Sequence, residues 1–190
     1  MTTPSTYKVD DESAVSVEDA QAAWVAVARP ALERTARKYN ATITYKELAE
    51  EVQSGSGIKT RKLLQNWIKD VLGTVAKTCH ENGEPLLSAL CVRADGSVGP
   101  GYAKSVVEIY GGDAPEDPDM HAAEERLACY RHFGAELPAD GGTAVLTPQV
   151  AAARRRVRVV KRPSPAEASR PTCPTCHLML PISGQCDNCS

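Results

Sequence analysis

The chain has no long apolar run. Nothing in its 190 residues approaches the roughly 18–20 apolar residues that cross a bilayer, which excludes a helical membrane span. The opening residues, Met1 to Thr6, lack the basic and apolar segments of a secretory signal, so the expected location is the cytoplasm. Neither charge is in excess: 22 Lys and Arg stand against 24 Asp and Glu, a formal net charge of −2. That excludes a molecule that is a polybasic coat over its whole surface. No P-loop, dinucleotide fingerprint or Ser/His/Asp grouping occurs, and no internal repeat is visible. The expectation is a protein that is not an enzyme and has no catalytic residues.

What is present is concentrated at one end. Cys173-Pro174-Thr175-Cys176 is followed, after nine residues, by Cys186-Asp187-Asn188-Cys189. Two CxxC pairs put four thiolates on two tight turns, an arrangement suited to a tetrahedral Zn2+ ion. So short a segment has little apolar surface to bury, and metal binding supplies the missing free energy, on the order of 10–16 kcal/mol in small zinc modules. A redox dithiol is disfavoured because no βαβ pattern surrounds the motif, and catalytic zinc because four thiolates leave no open position. His177, directly after Cys176, reads as a surface residue. The other three of the seven cysteines, Cys79, Cys91 and Cys129, lie among apolar neighbours and read as buried thiols.

Charge is unevenly placed. The first nineteen residues and the stretch Asp113 to Asp119 are acidic, while Arg154 to Arg170 is strongly basic. Residues 1–16 show no periodicity and read as disordered. A helix follows, capped by Ser16, with Ala20, Trp24, Val27, Ala28 and Ala31 on one face and a kink or break expected at Pro30. Thr44 with Glu47 forms a capping box for a second helix that ends near Gln53 to Gly57. A third apolar-periodic run extends from Leu63 to Cys79, with Gly73 as a candidate break. The period then changes: Leu86 to Arg93 reads as a buried strand, Asp95-Gly96 as a hairpin turn and Val98 to Tyr102 as a ragged second arm. Asp119 is the expected cap of a helix carrying Met120, Ala123, Leu127 and Tyr130 inward. Thr147-Pro148 opens a last helix that runs into Arg154. The acidic group Glu116, Asp117, Asp119, His121, Glu124 and Glu125 reads as caps and solvated charge rather than a nuclease centre.

Helix, turn, helix and hairpin is the order of a winged helix-turn-helix. Thr44-Tyr45-Lys46-Glu47-Leu48-Ala49, Val92-Arg93-Ala94-Asp95-Gly96-Ser97 and Gly99-Pro100-Gly101-Tyr102 resemble the DNA-binding domain of alkylguanine-DNA alkyltransferases and alkyltransferase-like proteins, across residues 42–103. The reactive Pro-Cys-His-Arg motif of that family is missing: its alkyl-accepting cysteine falls at Ser88, with Ala89 and Leu90 where His and Arg belong. The resemblance implies a winged-helix scaffold and not alkyl transfer. The terminal module resembles the short zinc ribbons of many bacterial proteins.

The expected fold class is mainly α with a small β-hairpin, a winged helix-turn-helix domain followed by a small zinc ribbon. The expected divisions are a disordered stretch 1–16, a helical domain 17–150, a basic arm and linker 151–171 and the ribbon 172–190. The expected metal ligands are Cys173, Cys176, Cys186 and Cys189. The expected function is duplex DNA binding, as a regulator or accessory factor. A helix within residues 58–80 would enter the major groove, with Lys59, Arg61, Lys62, Gln65, Asn66 and Lys69 on its polar face. Arg93 would sit near phosphate on the wing, and Arg154, Arg155, Arg156, Arg158, Lys161 and Arg162 would add backbone attraction. The alternative is an adaptor whose zinc ribbon docks on a protein complex, such as a polymerase or a defence or counter-defence assembly.

Overall fold

In a computed structural model of the chain, which describes residues 4–160, 172–180, 185–186 and 188–189, most residues of the first 160 are helical. The chain divides into two compact units after Val150. In the first, β1 (Thr6–Lys8) precedes α1 (Val17–Ala36), β2 (Ile43–Thr44), α2 (Tyr45–Ser56), β3 (Ile58–Thr60), α3 (Leu64–Glu81), a 3-10 turn (Leu87–Leu90), β4 (Cys91–Val92), α4 (Pro100–Tyr110) and α5 (Pro118–His132). The last helix, α6 (Pro148–Val160), begins in this unit and continues past its end.

The local signals at the starts of α1 and α2 act as the sequence predicts. Ser16 Oγ accepts from the Asp19 N–H at 3.0 Å. Thr44 Oγ1 accepts from Glu47 N–H, and the Glu47 carboxylate accepts from Thr44 N–H at 2.8 Å, closing the capping box. Gly57, at φ 67°, takes the left-handed conformation that ends α2.

Neither expected helix break occurs. Pro30 lies inside an uninterrupted α1, because the lost backbone bond, about 3 kcal/mol, is offset by complete burial of Ala28, Ala31, Leu32 and Ala36. Gly73 lies inside an uninterrupted α3; its cost of about 1 kcal/mol is small beside the buried stripe of Trp67, Ile68, Val71, Leu72, Val75, Ala76 and Cys79. Trp24 and Trp67 join the two helices, with ring centroids 4.4 Å apart, and Trp24 Nε1 donates to Ile58 O at 3.1 Å. Arg29 donates to Glu33 and, through Nη2, to both oxygens of Glu84, pinning α1 to the segment after α3.

The N-terminal stretch expected to be disordered is ordered from residue 4 onward. β1 pairs antiparallel with β3, Tyr7 opposite Lys59. Arg61 donates to Pro4 O and its guanidinium lies 4.5 Å from the Tyr7 ring centre.

The segment read as strand and wing differs most. Leu86 to Val92 is buried throughout, but Leu87–Leu90 is a 3-10 turn, and β4 pairs in parallel with β2, Ile43 opposite Cys91. Arg93 N–H donates to Ser97 O and Gly96 N–H to Arg93 O, which makes a tight turn. No strand follows it among the described residues. The N–H groups that would form the second arm go to side chains instead: Val98 to Asp119 at 2.9 Å and Gly99 to Tyr45 Oη at 3.2 Å. Pro100, at the first helical position, then opens α4. Asp117, not Asp119, caps α5 by accepting from Met120 N–H.

Candidate metal centre and nucleic-acid face

The second unit holds the four cysteines of the paired motifs. Sγ atoms of Cys173, Cys176, Cys186 and Cys189 all lie within 4.8 Å of one another, and those of Cys176 and Cys186 are 3.4 Å apart. Four thiolates at metal–sulfur distances of about 2.3 Å on tetrahedral corners stand ~3.8 Å from each other, so the cluster has the size and donor set to hold a metal ion. The backbone explains how. Cys173 N–H donates to Leu178 O at 2.8 Å, His177 N–H to Cys173 O at 2.9 Å, and Thr172 bridges Met179. His177 takes φ 57° to complete this turn, and its ring is outside the cluster. Backbone N–H groups of Cys176 and Thr175 hold the Cys173 thiol down to about 6, which favours the thiolate that binds metal.

The dispersed cysteines behave differently. Cys79, Cys91 and Cys129 are buried as thiols. Burial pushes all three thiols up, and the Glu47 carboxylate adds to this for Cys91.

The predicted nucleic-acid residues fall into separate groups. Lys59 is on β3, and Arg61 and Lys62 are in the loop leading into α3; all three are exposed. Gln65 and Lys69, one turn apart on α3, line one cleft together with Arg93. Asn66 faces away from it, beside Lys62 and Gln21 near the start of α1. Arg154, Arg155 and Arg156 are exposed on α6, where three consecutive positions fan over about 200° of the helix circumference. Arg158 is on the same helix, and Lys161 and Arg162 lie outside the described residues.

The acidic group is used in packing. Asp119 accepts from Val98 N–H, Glu125 from Leu86 N–H, and His121 Nδ1 is 2.9 Å from Tyr102 Oη. Among the described residues only the four cysteines gather as a metal-binding cluster.

The cleft itself was not visible in the sequence. About 500 Å³ in volume, it lies between α3 and the start of α4 and is lined by Ser88 together with Tyr45, Leu64, Ile68, Leu72 and Tyr102. Two signals pointed toward it. Pro100 after Gly99 marks a helix start, with Tyr102 and Val106 four apart on its buried side, and Ser88 is a polar residue inside an apolar run that gives it no local partner.

No protein-family model, no curated protein and no solved structure matches this chain. The likeness to alkyltransferase-like proteins therefore rests on the motif residues alone.

Proposed function

We propose that this protein binds duplex DNA as a regulator or accessory factor, and that its four-cysteine cluster holds Zn2+. The observation that supports DNA binding most directly is the convergence of Gln65, Lys69 and Arg93, from α3 and from the turn after β4, on one exposed rim. Gln and Arg have the donor patterns that pair with base edges, and Lys suits phosphate. In this reading α3 approaches the groove with Gln65 and Lys69 foremost. Lys59, Arg61 and Lys62 meet the backbone on the α3 approach. The tight turn at Arg93 takes the place of a two-stranded wing, and the arginines of α6 add attraction that does not depend on sequence. Zinc rather than another metal is favoured by an all-thiolate, four-coordinate donor set.

The test is a mobility-shift titration with duplex, single strand and RNA at two salt concentrations. Duplex affinity should fall steeply with salt. Replacing Arg154, Arg155 and Arg156 by alanine should weaken all duplexes alike and reduce the salt slope by about one for each arginine that meets a phosphate. Gln65→Ala should change the preference among sequences. No shift with duplex at low salt would overturn the reading.

A second reading has its own observation. Leu178 and Met179, on the terminal turn beside the cysteines, are 55% and 65% exposed. An apolar tip next to a metal cluster suits a protein partner, as in an adaptor whose ribbon docks on a complex. Salt-insensitive association with a protein, lost in Leu178→Ser and Met179→Ser, would favour it.

A further inference from the structure

Ser88 carries a hydroxyl that the folded chain does not use. The residue is only 8% exposed, and its Oγ is buried without a hydrogen-bond partner. Such a group costs free energy in the free protein, and Ser88 is one of the residues lining the α3–α4 cleft, so a molecule seated deep in that cleft is its candidate partner. The walls supply the other half of the recognition. Leu64, Ile68 and Leu72 from α3 and the rings of Tyr45 and Tyr102 make them largely apolar, and a volume of about 500 Å³ is that of a small-molecule site.

The rim is polar and of one sign. Lys69 and Arg93 stand on it, and neither makes an ion pair within 4.0 Å among the described residues; Asp95 is the acidic group in electrostatic reach of Arg93. Between them α4 presents its N-terminal end. Pro100 has no N–H, the Gly99 N–H is taken by Tyr45 and that of Tyr102 goes back to Gly99 O, so of these first amides it is that of Gly101, a residue lining the cleft, that is left for a ligand. An aligned helix start favours negative charge.

We propose that this cleft is a binding site for a small ring-bearing anion. The ring packs against the α3 stripe and the two tyrosines, an acceptor atom on the ring takes the Ser88 hydroxyl, and the acidic group lies toward Lys69, Arg93 and the Gly101 N–H. The proposal does not depend on DNA binding. It concerns a free ligand, and its readout contains no DNA.

The full-length, metal-loaded protein is titrated calorimetrically with naphthoate, with the neutral naphthamide and with adenosine monophosphate. Naphthoate and the nucleotide distinguish a carboxylate from a phosphate head. Saturable one-to-one binding of either anion is expected, with naphthamide about fivefold weaker than naphthoate if the carboxylate is preferred. Gly101→Phe should plug the opening and abolish binding with little change in the thermal midpoint, since a Cβ there meets no neighbouring atom within 4 Å and φ is not in the left-handed region. Ser88→Ala should move two readouts in opposite directions. Affinity for adenosine monophosphate, whose ring nitrogens can accept the hydroxyl, should fall about two- to tenfold, the worth of one hydrogen bond, that for naphthoate, whose ring has no acceptor, should not, and the free protein should become equally or more stable because an unsatisfied hydroxyl is gone. No saturable binding of either anion, or undiminished binding by folded Gly101→Phe, would overturn the site.

Discussion

The two units of this protein are held together by different physics. The first has an apolar interior in which Leu32, Leu48, Leu86, Leu87 and Leu90 are fully buried, and its three thiols are part of that interior. Around the terminal cysteines, the described residues offer almost no apolar burial: Leu178 and Met179 point outward, and order comes from two backbone turns that converge four sulfurs. A core of aliphatic side chains is stable on its own account, whereas a sulfur cluster needs its ion. Cysteine thus has two roles in one chain, and what separates them is the surroundings of the sulfur: apolar neighbours that raise the thiol in one unit, backbone amides that lower Cys173 in the other.

The largest effect that distinguishes the units is therefore metal removal. Chelation, or Cys186→Ser, should unfold the terminal module, which loses a term on the order of 10–16 kcal/mol, and leave the thermal midpoint of the helical unit unchanged. Alkylation counts the outcome: the four cysteines of the cluster should react after chelation, while Cys79, Cys91 and Cys129 stay protected until the helical unit itself unfolds. Loss of the whole fold on chelation would show that the units are not separate. The converse substitution acts on the core. Trp24→Ala removes the ring packed on Trp67 and the bond to Ile58 O, and should lower stability by about 3–5 kcal/mol in denaturant unfolding followed by circular dichroism, with metal content by atomic absorption unchanged.

What the sequence made legible is what is decided locally. Ser16, Thr44 with Glu47, and Thr147 before Pro148 each act within three residues of themselves, and each helix begins where they stand. The cysteine cluster was legible for the same reason, since its spacing states its geometry. Apart from the cap of α5, which is Asp117 rather than Asp119 two residues later, the differences involve distant partners. Pro30 and Gly73 look like breaks until their neighbours are seen to be buried. β1 depends on β3, more than fifty residues away in the chain. The would-be wing fails because Val98 and Gly99 donate to Asp119 and Tyr45, which no local pattern could assign. The α3–α4 cleft was missed because its walls come from four separate stretches of chain.

The smallest effect tests whether those local signals carry energy as well as position. The Glu47 carboxylate accepts from both the N–H and the hydroxyl of Thr44, at 2.8 Å and 2.7 Å, and these bonds hold it below its ordinary value of 4.5. A carboxylate depressed in the folded state contributes stability that is present above its unfolded pKa and is lost as pH falls through the folded one. The helical unit should therefore lose a small increment of stability on acidification from about pH 4.5 downward. Thr44→Ala should cost about 1 kcal/mol at neutral pH, measured by urea unfolding, and should weaken that acid dependence without removing it, because it deletes the hydroxyl that both caps the helix and donates to the carboxylate but keeps the Thr44 N–H, the larger cause of the lowered value. Glu47→Gln keeps the reach of the side chain but not its charge. It should retain most of the cap and lose the pH dependence, so the two variants together separate the geometry of the capping box from its electrostatics.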